Sequence, residues 1–488
     1  MACDATGIER PEAVFDREAE WRALTAFVTD QRPGPTLGLV TGRRRQGKTY
    51  LLEALARATG AFLFRAHEGT ERESLQRCAE AFAGHTGSPR VPAWRDWDDA
   101  LDALLGSGGE NPAPVVIDQF PDLVRQSPAL PSVLHRAFTQ AGHTLRTRLL
   151  LGGDSSLVAN RLFTDHSALR ELAGLSITVE PFDFRRAAAF WDVDDPRLAA
   201  LLHTVVGGTP AHRSLASGEG PTGVEDFDAW MCRTVLDPRT PLHWEATRLL
   251  NEETDQQDRP LCHSILTAVA LGHATTWAVT RHVSRPLTDV SHALRLLEHC
   301  GLLRGEPDAF LTTALRYRIA EPLLAFDHAV VAPHRSTLEA EATAGAWERL
   351  SSDFNGTAVP AAFAQLCRDW ALRFANPDTF GAPVATAAHG TLPRGEIGPE
   401  RESEVVVRGG GDHRPLLSVG QTRWKEIMDI HHLDRLRHLL AVLAVRGEDI
   451  SRTKPACYGG AGFSPRLRAA EDRGEVVLVD LDRLYHGG

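Results

Sequence analysis

The segment Gly42-Arg43-Arg44-Arg45-Gln46-Gly47-Lys48-Thr49 constrains this chain more than any other part of it. It directly follows the apolar run Thr36-Leu37-Gly38-Leu39-Val40 and leads into Tyr50 to Ala58, which reads as a helix. Glycines at these positions let the backbone curl so that its N–H groups converge on an anion. The lysine reaches the β- and γ-phosphates of a nucleotide, and the threonine hydroxyl supplies a ligand for Mg²⁺. Gly42, Arg43, Arg44, Arg45, Gln46, Gly47, Lys48, Thr49 and Tyr50 are therefore the candidate nucleotide-binding residues, with ATP and Mg²⁺ as the expected ligands.

Composition strengthens this reading at one residue. Lysine occurs only at Lys48, Lys425 and Lys454, and arginine supplies all the other fixed positive charge. In such a chain, a lysine at the loop position that requires a compact ammonium points to function. The formal net charge of −11 argues against a protein coated in nucleic acid, although a local basic face stays open.

A phosphate-binding loop needs a carboxylate at the end of a later strand. Pro114-Val115-Val116-Ile117-Asp118 provides it, and Asp118 is expected to join Thr49 in holding Mg²⁺. Further apolar runs at Ala61 to Ala66, Arg148 to Gly153 and Leu175 to Val179 alternate with helical stretches. This alternation predicts a parallel sheet covered on both faces. Gln119 follows the carboxylate, where ATPases of this kind carry a glutamate that polarises water. A glutamine can orient a water but cannot take its proton, and loss of a general base costs ~10²–10⁴-fold. Lys48, Asp118 and Gln119 are the candidate catalytic residues, with binding expected and turnover weak.

At 488 residues the chain should divide into several domains. The seven cysteines form no CxxC pair and the N-terminus has no apolar signal region, so reduced thiols and a cytoplasmic location are expected. No apolar stretch approaches the ~20 residues that span a bilayer. His431-His432 is a histidine pair without HExxH or similar ligand spacing, so no zinc site is read from it. Trp94, Trp97, Trp191 and Trp244 are expected to be packing anchors.

With these residues in view, the chain resembles the archaeal-type P-loop ATPase family, related to the AAA+ and STAND groups. Phe15-Asp16-Arg17-Glu18-Ala19-Glu20 is similar to its F-x-x-R-E-x-E signature, and the phosphate loop to its GRRRxGKT. Leu151-Gly152-Gly153-Asp154-Ser155-Ser156 is similar to its sensor-1 strand end. Glu180 to Ala187 and Val206-Gly207-Gly208-Thr209-Pro210-Ala211 match its next two motifs. Three departures bear on chemistry: Gln119 for glutamate, Asp154 for the sensor Ser or Asn, and Ala168 to Ala173 without the family's arginine pair. Arg170 lies nearby as a candidate replacement for that pair.

The resemblance implies an α/β architecture: a P-loop NTPase parallel sheet with a helical lid, then a winged helix and a restriction-endonuclease-like domain. The expected divisions are a tail over 1–12, the ATPase core over 13–182, the lid over 183–258, a winged helix over 259–330 and the nuclease-like domain over 335–488. The expected recognition helix, Leu287 to His299, carries Arg295 and His292 against Asp289 and Glu298, so its charge nearly cancels. In the last domain Glu404 matches a metal-binding acid of the family. Ala364, Gln421 and Arg423 replace the other two acids and the lysine, so no cleavage is expected. The leading reading is an ATP-gated regulator or scaffold. Two others stay open: an ATPase completed by a protein partner or a neighbouring subunit of a homo-oligomer, and a DNA-binding or DNA-processing protein.

Overall fold

The computed structural model describes residues 7–107, 113–140, 146–154, 162, 167–254, 257–311, 313–335, 338, 343–392, 401–411 and 413–488. Ser155 and Ser156 of the sensor motif, and the loop read at Pro393 to Pro399, lie outside the described residues. The chain divides into two compact units, Met1–Pro181 with His299–Gly301, and Phe182–Glu298 with Leu302–Gly488.

The first unit is built on five strands: β1 (Thr36–Thr41), β2 (Phe62–Arg65), β3 (Ala113–Asp118), β4 (Thr147–Gly152) and β5 (Ala173–Thr178). They pair in the order β2-β3-β4-β1-β5, and every pairing is parallel. A parallel sheet needs helical crossovers, which cover both of its faces. The apolar runs therefore split by strand period. Leu149 and Leu151 of β4 join one core with Leu37, Leu39, Val115 and Ile117. Leu150 faces the opposite core with Val40 and Val116, packed by Trp21, Leu24 and Phe27 of α1 (Glu18–Val28) and Leu51, Leu52 and Leu55 of α2 (Lys48–Thr59).

Arg148, at the start of β4, is fully buried. Its guanidinium donates to the carbonyls of Asp30, Arg32 and Gly34, at 2.7, 2.5 and 2.8 Å. The side chain thus ties the Pro33-Gly34-Pro35 turn to the sheet, supplying donors in a segment where the two prolines offer no N–H.

The second unit begins with helices from Phe184 onward. The helices Arg259–Ala270, Thr276–Val283 and Leu287–His299 precede an antiparallel hairpin of β6 (Leu303–Pro307) and β7 (Leu315–Ile319). A second five-stranded sheet follows, in the order β12-β11-β10-β9-β8. Its strands are β8 (Val384–Leu392), β9 (Arg401–Gly409), β10 (Leu416–Arg423), β11 (Lys454–Gly459) and β12 (Val477–Asp480). Pairing is antiparallel from β8 to β10 and parallel from β10 to β12, because the helices Ile430–Val445 and Pro465–Asp472 serve as crossovers. Among the described residues, no helix is long and apolar enough to cross a membrane.

Trp97 and Trp191 are buried, and Trp94 packs against the first core. Trp244 departs from the expected anchor role. It is 42% exposed, with its indole N–H donating to the Pro238 carbonyl at 2.8 Å.

Candidate functional site

β1 and β3 are separated in the sheet by β4, so three strand ends meet at one edge: the loop after β1, Asp118 ending β3, and Gly152 ending β4. The carboxyl ends of parallel strands at a change of winding direction are where open α/β sheets bind ligands.

The loop between β1 and α2 is held in a conformation the sequence demands. Gly42, Arg45 and Gly47 all have positive φ, at 138°, 70° and 87°. A Cβ on Gly42 would stand 2.4 Å from the Val179 carbonyl oxygen, so no side chain fits there. Arg45 occupies the left-handed region at a cost of roughly 1 kcal/mol. The Lys48 ammonium is buried and donates to the carbonyls of Gly42 at 2.7 Å and Arg43 at 2.8 Å.

Thr49 is the second residue of α2, and its hydroxyl donates to Asp118 Oδ2 at 2.6 Å. Asp118 is 1% exposed. Its Oδ1 accepts from the Gln119 N–H at 3.0 Å, and Arg65 Nε lies 3.8 Å from its Oδ2. Gly152 makes this packing feasible, since a Cβ there would come within 2.5 Å of Asp118 Oδ1 and 2.8 Å of a Leu52 methyl. A hydroxyl and a carboxylate side by side at a helix start fit a hydrated Mg²⁺, with Thr49 and Asp118 as the residues that would hold it.

Gln119 has φ 59° and ψ 36°, a left-handed turn between β3 and the helix Phe120–Gln126. Its carbonyl accepts from the Asp122 N–H at 2.9 Å. Its half-buried side chain ends in an amide, which offers a donor and an acceptor but no basic site. Burial holds the Asp122 carboxyl above its usual range, against the pull of Arg125.

Two contacts at this edge were not expected from the sequence, although it singled out the residues that make them. Arg17, at the start of α1, donates to the Gln46 carbonyl at 3.3 Å and to Glu20 at 3.1 Å, bracing the loop from outside. Arg44 of the loop pairs with buried Asp154 at 2.5 Å. Asp154 therefore stands where the sensor residue is expected and faces a loop arginine. Tyr50 is on the outer side, 48% exposed, with its hydroxyl donating to the Ala13 carbonyl at 3.2 Å. Arg170 lies in the short helix Ala168–Leu172, which the Ser167 hydroxyl caps by accepting from the Arg170 N–H at 3.2 Å.

In the second unit, Glu404 on β9 and Arg423 on β10 approach to 3.5 Å. Gln421 is on the same strand as Arg423, and Ala364 is buried in the helix Val359–Arg373. The carboxylate that would attract a metal is thus matched with a guanidinium, and positions 364 and 421 carry an alanine and a glutamine.

No family model matches the sequence, and no curated protein matches it. Among solved structures the chain is similar to a Walker-type ATPase of Pyrococcus abyssi, at 20% identity over 65% of this chain and 97% of that one, with a TM-score of 0.51. It is also similar to the ORC2 protein of Aeropyrum pernix, at 16% identity over 68% of this chain and 99% of that one, with a TM-score of 0.41. The second superposition is too loose to bear on the argument. The first is a likeness of fold, and it agrees with the parallel five-stranded sheet and its loop: this chain has the fold of a P-loop ATPase.

Proposed function

We propose that the chain binds ATP with Mg²⁺ at the edge formed by β1, β3 and β4, turns it over slowly, and uses the bound nucleotide to set the state of the domains that follow. The observation that carries this is the 2.6 Å hydrogen bond from Thr49 to Asp118, which prepares a metal position beside a lysine-bearing anion loop. A Mg²⁺ held by Thr49 and Asp118 would supply charge neutralisation for the nucleotide's phosphates. The chain's own residues do the rest. Loop N–H groups hold phosphate oxygens, and the Lys48 ammonium exchanges the Gly42 and Arg43 carbonyls for them. Gln119 orients water without accepting its proton.

Slow turnover is supported by three features together: an amide at 119, an Asp154 carboxylate engaged with Arg44, and no arginine pair at 168–173. Each withholds charge stabilisation that phosphoryl transfer depends on. The layout of three helices and a hairpin over 259–319 supports a winged helix, and the mixed sheet of β8 to β12 supports a nuclease-like fold that does not cut. The near-neutral Leu287–His299 helix favours a protein contact for the former over DNA.

The test is titration with a fluorescent ATP analogue and Mg²⁺, run alongside a steady-state hydrolysis assay. Micromolar binding that Lys48→Ala abolishes, with turnover near the detection limit, is the expected result. A fast rate that depends on Lys48 would overturn the regulatory reading and favour a complete ATPase, alone or assembled with other subunits.

A further inference from the structure

We propose that Glu426, His431 and His432 form a binding site for a divalent transition cation of the Zn²⁺ class, independent of the nucleotide site.

One ligand atom from each of the three residues lies within 4.8 Å of the other two. Glu426 Oε1 is 3.7 Å from His432 Nε2 and 3.9 Å from His431 Nε2. In a tetrahedral site with bonds of about 2.0–2.1 Å, neighbouring ligand atoms stand roughly 3.4 Å apart, so the carboxylate need close on each imidazole by only about half an ångström or less. The two imidazoles already lie against each other, with ring centroids 3.9 Å apart.

The second observation is His432 itself. Its side chain is fully buried, and its Nε2 has no hydrogen-bond partner. The opposite nitrogen, Nδ1, is fixed at the Asp429 backbone: it accepts from the Asp429 N–H at 3.1 Å when Nε2 carries the ring proton, and in the other tautomer donates to the Asp429 carbonyl 3.2 Å away. When Nδ1–H donates to that carbonyl, the Nε2 lone pair points toward Glu426. An imidazole oriented through one nitrogen so that the other can bind is how protein metal sites prepare a histidine.

His431 and Glu426 are exposed, so a cation can enter from solvent and retain a position for water. Two imidazoles and one carboxylate suit Zn²⁺, Co²⁺ or Ni²⁺ and suit Mg²⁺ poorly, because Mg²⁺ prefers an oxygen shell. Arg423 Nε lies 4.0 Å from Glu426 Oε2, so a cation must draw Glu426 away from that guanidinium. The site would then pin the connection between β10 and the helix Ile430–Val445, which carries exposed Ile427 and buried Met428.

The experiment uses the full chain without nucleotide. Co²⁺ is titrated and followed by visible absorption, with Zn²⁺ as competitor and excess Mg²⁺ present to fill the nucleotide edge. The expected result is one equivalent of Co²⁺ giving a tetrahedral d–d band, free of thiolate charge transfer and displaced by Zn²⁺. Glu426→Gln and His431→Asn, both at exposed positions, should each weaken that binding at least about tenfold. Circular dichroism should show both variants folded. A band that persists unchanged in both variants, a band dominated by cysteine charge transfer, or the absence of tetrahedral binding overturns the site. None of these outcomes touches the nucleotide reading, which rests on Lys48 and Asp118.

Discussion

The Thr49 hydroxyl donates to Asp118 Oδ2 across 2.6 Å, although the two residues are 69 positions apart in sequence. Both sit where the parallel sheet brings strand ends together, and Asp118 is almost wholly shielded from water. That carboxylate is shared between the Thr49 hydroxyl and the Gln119 N–H, and under the proposed function it would also face a metal.

Asp118→Asn should therefore weaken Mg²⁺-dependent binding of ATP more than binding measured with EDTA. The amide keeps the shape but loses the charge that offsets the cation. A loss of at least tenfold, about 1.4 kcal/mol, is expected in the presence of Mg²⁺. Equal losses with and without Mg²⁺, read by the same fluorescence titration, would assign Asp118 a structural role only.

Gln119→Glu introduces a base on the same left-handed turn. If the amide is what limits turnover, the hydrolysis rate should rise by tenfold or more, within the ~10²–10⁴-fold span of general-base catalysis. A fall in rate would instead identify the glutamine as a working water-positioning residue. The readout is phosphate release at saturating ATP.

Gly152→Ala places a Cβ against Asp118 Oδ1 and Leu52, both within 2.8 Å. Overpacking of this kind costs about 1–3 kcal/mol. Thermal unfolding should show the loss, and Mg²⁺–ATP should restore less of the melting temperature in the variant than in the wild type. An unshifted melting temperature would mean that the strand end yields easily.

The pair Asp327 and His328 predicts a pH signature for the second unit. Burial raises the Asp327 carboxyl to about 6, against the pull of Arg335, so its contribution to stability is full below the unfolded value of 3.8 and is lost as pH rises through 6. Burial, with His263 and Arg335, lowers His328 to about 3, so its contribution is full above 6.5 and is lost as pH falls toward 3. Between about pH 4 and 6 the two slopes oppose each other. Asp327→Asn removes one of them, leaving stability to fall with acid by up to about 1.4 kcal/mol per pH unit. Melting temperatures from pH 4 to 7 should accordingly diverge between the variant and the wild type as pH decreases.

Plasmid incubated with the protein and Mg²⁺ should stay intact, because Arg423 holds Glu404 at 3.5 Å and two of the three expected acids are absent. Nicking that Glu404→Ala removes would contradict this and return the C-terminal sheet to the nucleases.

The first sheet was legible because β1, β3 and β4 are apolar runs of the kind a doubly covered sheet requires, while edge strand β5 shows only the alternation of Leu175 and Ile177 with polar residues. β8 and β11 were not. Val384 to Leu392 is rich in small and polar residues, and Lys454-Pro455 opens β11 without a clear apolar signal. Their strand character comes from pairing with β9, β10 and β12, which local sequence does not display.

The phosphate loop, its lysine and the strand-end aspartate were determined by sequence alone, because a left-handed backbone turn, an ammonium and a carboxylate each demand particular residue types at short spacing. Tertiary structure alone decided which residues support them. Arg17 on the Gln46 carbonyl, Arg44 against Asp154, and Gly152 beneath Asp118 are contacts across folded elements. The same holds for Glu426 beside His431 and His432, whose spacing follows no ligand pattern. Only the path from β10 into its helix, and the burial of one imidazole, bring those three side chains to a single point.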